Sequence, residues 1–399
     1  MHQESVKNKA EGIGSSSTSY RGRTHSWRGG FPPDRLSGGF ARGSMQSIFS
    51  IPRHLIVIGI ILSLLSPVFA AEEEKNISAV SAGFVVHTGC GDGLETRKLL
   101  DAGALLVHGL DRNSAKVARA RDKYVDLAGR LTFDHWNGKT LPYPDNTVNR
   151  IQVDDRGDLP RSEIERVLAP RGTAVFPDKS TWTKPVPKEM DEWTHFHYDS
   201  SGNAVSDDQL VAPPTSLRWR SGPNWTRHHE SMSSLTALVS SAGKLFYIMD
   251  EGPRRSILMP PKWTLTCRDA FNGVTLWKRE LPSWYPYLWP LKHGPAQLPR
   301  RLVAADGKVY LPLGRNKPLS ILDADTGETL KALSDTVAVE EILVRGDNLL
   351  VLDNEKPFDK DFIPRGLEWK LWGETKAQGW GKALLPEREL KMFDRPTGQ

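Results

Sequence analysis

The 399-residue chain has only two cysteines, Cys90 and Cys267. A disulfide-stapled framework is therefore excluded, and so is a zinc site built on a Cys-x-x-Cys pair. Excess charge is equally scarce outside the first segment. Residues 1–54 hold eight bases (Lys7, Lys9, Arg21, Arg23, Arg28, Arg35, Arg42, Arg53) against three acids (Glu4, Glu11, Asp34), which accounts for the whole net charge of +5; the remainder carries 45 of each sign. A pI near 9 thus describes a leader. No nucleic-acid partner is expected, because that would need a basic face on the folded part.

What is present at the start reads as targeting information. Residues 1–44 are rich in Ser, Gly and Arg without apolar periodicity, and are expected to be a disordered leader. Residues 45–70 have the layout of a signal peptide: a polar and basic stretch ending at Arg53 and His54, the apolar run Leu55–Leu65, then Ser66-Pro67-Val68-Phe69-Ala70 with small side chains at the third and first positions before a cut. Met45 is a candidate start. The competing reading is an uncleaved anchor, since Leu55–Ala71 is 17 residues, at the low end of the roughly 17–25 that span a bilayer. In both cases the chain is expected to be exported, to the periplasm or cell envelope, with membrane contact only through this segment.

Residues 80–177 alternate strand and helix patterns. Phe84–His87 is a β-rich run ending in Thr88-Gly89-Cys90-Gly91-Asp92-Gly93; a helical pattern follows over Leu94–Ala102, then an apolar run ending at Asp111. Further strands are expected at Leu131–Phe133, Val148–Val153 and Thr173–Phe176, with helices through Val117–Val125 and Arg161–Leu168. Such alternation predicts a parallel sheet with helices on both faces. Glycines at 89, 91 and 93 allow a tight strand-to-helix turn and close approach of a ligand to the backbone. Asp111 ends the second strand 18 residues after Gly93, where a carboxylate can accept bonds from both ribose hydroxyls. An adenosine-containing ligand fits this pattern.

His87-Thr88-Gly89-Cys90-Gly91-Asp92-Gly93, Asp111, the stretch Asn137–Asn146 and the turn Arg166-Val167-Leu168-Ala169-Pro170-Arg171-Gly172 together resemble class I S-adenosylmethionine-dependent methyltransferases. The resemblance implies a Rossmann-like fold and S-adenosylmethionine as cofactor. The residues it implies as contacts are Gly89, Cys90, Gly91, Asp92, Gly93, Asp111, Trp136 and Asn137. The chain departs from that pattern at Asn137 and Asn149, where the family commonly has Asp, and no sixth or seventh strand is visible after Phe176. No catalytic residue is assigned.

From Pro177 onward the character changes. Eleven of the thirteen Trp lie at or after Trp182, and short alternating runs between turn residues predict antiparallel sheet. Arg268-Asp269-Ala270-Phe271-Asn272-Gly273-Val274-Thr275-Leu276-Trp277 matches Leu322-Asp323-Ala324-Asp325-Thr326-Gly327-Glu328-Thr329-Leu330 at an offset of 54, and a third copy starts at Phe393-Asp394. Each copy predicts a turn in which Asp caps the backbone and Gly takes positive φ. These repeats resemble the quinoprotein, or PQQ-like, β-propeller family. The fold class expected is thus α/β plus all-β: a truncated Rossmann-like methyltransferase fold, a linker with the first propeller strands over 178–234, and incomplete blades over 235–399. That family commonly places its quinone over adjacent cysteines, which are absent here, so pyrroloquinoline quinone is not the expected cofactor.

Between the parts, Thr194-His195-Phe196-His197-Tyr198-Asp199 and Arg227-His228-His229-Glu230 could ligate a metal or pin a linker to the first blade. The pinning role is preferred and no metal is expected. The leading functional expectation is an extracytoplasmic binding or scaffold protein, its sheets holding a protein or cell-envelope ligand. An active methyltransferase is the alternative, and a quinoprotein oxidoreductase the second.

Overall fold

The computed structural model describes residues 83–215, 217–222, 227, 234–255, 259–285, 297–354 and 388–395. The leader at 1–44, the signal segment at 45–70, and His228 and His229 lie outside these residues. No helix among those described is long and apolar enough to cross a membrane.

The first part is a six-stranded sheet in the order β3-β2-β1-β4-β5-β6. Strands β1 (Phe84–Thr88), β2 (Leu106–Asp111), β3 (Leu131–His135), β4 (Val148–Val153) and β5 (Leu168–Val175) run parallel. Successive side chains of a strand point to opposite faces, and β1 shows the result. Val85 joins Leu100, Val107, Val117 and Ala120 beneath helices α1 (Leu94–Asp101) and α2 (Ser114–Lys123). Val86 joins Ile151, Val153 and Ile164 on the other face, beneath α3 (Arg161–Val167). Helices on both faces are what the alternation predicts. Asn113 starts α2 by accepting at Oδ1 from the Ala115 and Lys116 amides, at 3.0 and 3.1 Å.

One expectation is corrected here. The sheet does not close at Phe176: β6 (Thr181–Thr183) folds back antiparallel on β5, with Thr173 opposite Thr183. The turn is set by Asp178, whose carboxylate accepts from the Ser180 amide and hydroxyl, and by Lys179 at φ 65°. Three residues are too few for a periodic signal, so the boundary at residue 177 falls short of the true edge strand.

Beyond residue 234 the described chain forms three antiparallel sheets. The first comprises β7 (Leu235–Ser241), β8 (Lys244–Asp250), β9 (Trp263–Asp269) and β10 (Thr275–Leu281); the second β11 (Val303–Ala305), β12 (Lys308–Pro312), β13 (Leu319–Asp323) and β14 (Thr329–Leu333). The third holds β15 (Ala338–Arg345), β16 (Asn348–Asn354) and β17 (Arg388–Asp394). Each opens with a two-residue hairpin, at Ala242-Gly243, Asp306-Gly307 and Gly346-Asp347. The first two have both central residues at positive φ, the type I′ geometry that matches strand twist.

The repeated Asp turns have matching geometry. Asp269 Oδ1 accepts from the Phe271 and Asn272 amides, Asp323 Oδ1 from those of Asp325 and Thr326, and Gly273 and Gly327 sit at φ 75° and 76°. A tryptophan rests on each turn: Trp219 Nε1 donates to Ala270 O at 3.0 Å and lies against Gly273, while Trp277 Nε1 donates to Ala324 O at 3.1 Å and lies against Gly327. The second of these joins the first sheet to the next.

The first strands β7, β11 and β15 pack on one another, and a single extended segment crosses all three. Trp193 O accepts from the Ser240 amide, Thr194 O from that of Ala304, and His195 Nε2 from that of Val344. His195 therefore pins chain to chain, as preferred above, but it joins the third sheet rather than the first. No metal-holding cluster exists among the described residues.

Candidate functional site

The site is built at the C-terminal edge of the parallel sheet, where β1, β2, β3 and β4 deliver their following loops. The loop after β1 is drawn tight by the Gly89 and Cys90 amides, which both donate to Leu110 O. Gly89, Gly91 and Gly93 have φ of 81°, 58° and 86°, a region costly for residues with a Cβ. Their surroundings differ. A Cβ at Gly89 would strike Asp155 at 2.7 Å, and one at Gly93 would strike Phe133 and Tyr124, whereas one at Gly91 meets nothing within 4 Å. The middle glycine thus presents bare backbone to open space, which is what close approach of a ligand requires.

Asp111 is 8% exposed. Its Oδ2 accepts from the Gly91 amide at 2.9 Å and its Oδ1 from the Asn113 amide at 2.8 Å. The carboxylate therefore links the glycine loop to the start of α2, and each oxygen keeps a free lone pair for a hydroxyl.

The remaining sequence candidates serve the frame. Asp92 pairs with Lys123 at 3.1 Å and caps Leu94; that pairing holds its carboxyl below the usual range. Burial and the nearby Asp111 push the Cys90 thiol up to about 12, so it stays protonated and unreactive. Trp136, one of the cofactor contacts the resemblance implies, is 4% exposed; its indole N–H donates to Thr140 O and its ring belongs to the core. Asn137 turns its Oδ1 to the Lys139 and Thr140 amides, shaping the loop after β3.

Several groups escaped the sequence reading. His87, 1% exposed, has Nδ1 2.8 Å from Thr96 Oγ1 and Nε2 2.8 Å from Asp154 Oδ2. An ionised carboxylate only accepts, so Nε2–H donates to it. Gln152 donates to the other Asp154 oxygen at 2.9 Å. Burial pushes the Asp154 carboxyl up, but the bonds from Gln152 and His87 outweigh it and the group stays below the ordinary carboxylate range.

Arg112 follows Asp111 and reaches across the end of β1 to Asp155, with Nη2 to Oδ2 at 2.7 Å. Its methylenes lie against Gly138 and Gly157, both at positive φ. The two side chains are 51% and 42% exposed, so water screens the clasp and it adds little to stability.

Asn149 belongs elsewhere. Its Nδ2 donates to Asp269 Oδ2 at 2.7 Å and its Oδ1 accepts from Phe84 N and Asn272 Nδ2. This departure from the expected Asp sits at the opposite edge of the sheet, joining it to the first Asp turn, and touches nothing in the cleft.

Residues 85–172 match a methyltransferase domain. Methyltransferase GfsG of Streptomyces halstedii is 35% identical over 109 residues, which is 25% of this chain and 39% of that protein. Among solved structures, a chain from the complex of the Haloferax volcanii Trm112 methyltransferase activator with a putative methyltransferase shares 26% identity (TM-score 0.22; 25% of this chain, 47% of that one). An S-adenosylmethionine-dependent methyltransferase from Mesorhizobium loti shares 25% identity (TM-score 0.21; 25% and 46%). The chain spans less than half the length of each of these. S-adenosylmethionine is the candidate cofactor for the methyltransferase-like domain over the matched residues.

Proposed function

We propose that the domain over residues 83–183 is an S-adenosylmethionine-dependent methyltransferase. The observation that carries this reading is the coincidence of the matched domain with an intact cleft: open backbone at Gly91, and a buried Asp111 with lone pairs to spare. The cofactor, when bound, supplies an activated methyl group on a sulfonium. The chain's own part is to hold the ribose at Asp111, admit the ligand past the weak Arg112–Asp155 clasp, and offer Asp154 at the far side of the loop. A pure scaffold is less well supported than methyl transfer. Asn149, one of the departures from the family pattern, is accounted for at the joint with the sheets.

The three sheets support a second layer of the reading. Their antiparallel order, the packing of β7, β11 and β15, and the tryptophan docked between neighbours fit blades of a β-propeller. We take that part to present a protein or cell-envelope surface to the transferase, in an exported protein.

Calorimetry of S-adenosylmethionine against the full chain and against Asp111→Ala tests the proposal. Saturable heat that is lost in the variant is the expected result, with release of S-adenosylhomocysteine once an acceptor is supplied. Absence of heat with the intact chain overturns it.

A further inference from the structure

Arg227 and Arg301 are both buried among the antiparallel sheets, and they are held alike. Each donates to carbonyls of the loop that follows the second strand of a sheet. Arg227 Nε reaches Pro253 O at 2.8 Å after β8, and Arg301 Nη2 reaches Gly314 O and Arg315 O at 3.3 and 3.0 Å after β12. The difference is a carboxylate. Asp250 Oδ2 accepts from Arg227 Nη1 at 3.0 Å, and both side chains of that ion pair are buried. Asp250 lies seven residues past the hairpin glycine Gly243; the same place after Gly307 is held by Gly314, which has no side chain to offer.

Around Arg301, donors are left over. Its Nε–H and the indole N–H of Trp284 are buried without a hydrogen-bond partner, in residues 2% and 0% exposed. The Arg301 guanidinium lies over the Trp284 ring at 4.5 Å and that of Arg315 over the Tyr285 ring at 5.6 Å, so two successive aromatic residues each carry a cation. Stacking offsets only part of the cost of taking a guanidinium out of water. The acid whose field reaches Arg301 is Glu340, and that carboxylate already accepts from Asn354 Nδ2 at 3.0 Å and pairs with Arg388 at 2.9 Å. Burial pushes the Tyr285 phenol up to about 12, so it is neutral at pH 7 and balances no charge. The same cause pulls Arg301 down to about 10, which still leaves it protonated.

We propose that Arg301, Arg315 and the Trp284 N–H form a receptor for a small oxyanion, the carboxylate or phosphate group of a ligand, at the entry to the inner strand β11. A planar fork of N–H donors suits either group. In the second sheet the ligand takes the part that Asp250 plays in the first. Trp284 follows β10, Arg315 follows β12 and Glu340 lies in β15, so an anion held here acts where the three sheets meet, and its binding should register as stability. No residue of the glycine loop takes part, and the site is independent of the cofactor reading.

Urea denaturation of the full chain provides the test, with sodium phosphate and sodium acetate as probes and sodium chloride at matched ionic strength as the control for screening. The oxyanion should raise the midpoint above the chloride control, and the rise should saturate. A rise with phosphate alone assigns the site to a phosphate-bearing ligand, a rise with acetate alone to a carboxylate, and a rise with both to either. Arg301→Met should weaken the apparent affinity about tenfold or more. Trp284→Phe, which keeps the ring and removes the N–H, should weaken it less, and it decides the matter if Arg301→Met does not fold. Midpoints that coincide in phosphate, acetate and chloride overturn the proposal. So does an oxyanion effect that persists undiminished in Arg301→Met, or in Trp284→Phe where that variant stands in.

Discussion

Two glycines in one loop separate folding from binding. At Gly93 an added methyl meets both Phe133 and Tyr124 within 3 Å, on a backbone at φ 86°. The left-handed backbone alone costs about 1–3 kcal/mol for other residues, so Gly93→Ala should lower the urea midpoint clearly. At Gly91 the same methyl meets nothing. Gly91→Ala should keep most of the stability, at a cost of about 1–2 kcal/mol for φ, yet occupy the space the ligand needs. A melting curve close to the parent with lost S-adenosylmethionine affinity is the expected pair of results. Both glycines are visible in the sequence, but their division of labour is not, because it depends on Phe133 and Tyr124 from distant segments.

At the scale of elements, the segment through residues 193–195 carries a pH dependence. His195 is 5% exposed and accepts the Val344 amide at Nε2, and burial pulls its pKa from 6.5 down to about 4. The unfolded chain therefore binds a proton that the folded one refuses between those two values. Stability contributed here is complete above about pH 6.5 and falls as the pH drops toward 4, by up to about 3 kcal/mol. Denaturant midpoints across that range should show the slope, and His195→Phe should flatten it. The tryptophan joint is a second element-level test. Trp277 is 6% exposed, donates to Ala324 O and covers Gly327; Trp277→Ala should cost about 3–5 kcal/mol by chemical denaturation. The Asp turns on which such tryptophans rest were legible as a repeat. Their docking partners were not, since Trp277 and Ala324 meet only after two sheets have formed.

For the whole molecule, the joint between the parallel sheet and the first Asp turn decides whether the parts respond together. Asn149 supplies a donor to Asp269 at 2.7 Å. Replacing it with Asp removes that donor and sets two carboxylates face to face in a part-buried site. Asn149→Asp should destabilise the chain by about 1–3 kcal/mol, and Asp269→Asn in the same chain should recover most of that loss, a coupling that a double-mutant cycle reads directly. Independent effects of the two substitutions would mean that the joint contributes nothing to cohesion.

The strand and helix order over residues 84–175, the glycine turn, Asp111 at a strand end and the repeated Asp turns were determined by the sequence alone, since each rests on residues within one turn or one strand of each other. The short strand β6 lay below the length at which such local patterns speak. Pairings over longer separations belong to the tertiary structure. Only the packed sheet brings His87 to Asp154, Arg112 to Asp155 and Asn149 to Asp269, and only it sends Trp136 into the core while leaving Gly91 open. Hydrogen bonds and burial between distant segments follow from which strands become neighbours, and that choice is made by the hydrophobic faces of the assembled sheet rather than by any short stretch of chain.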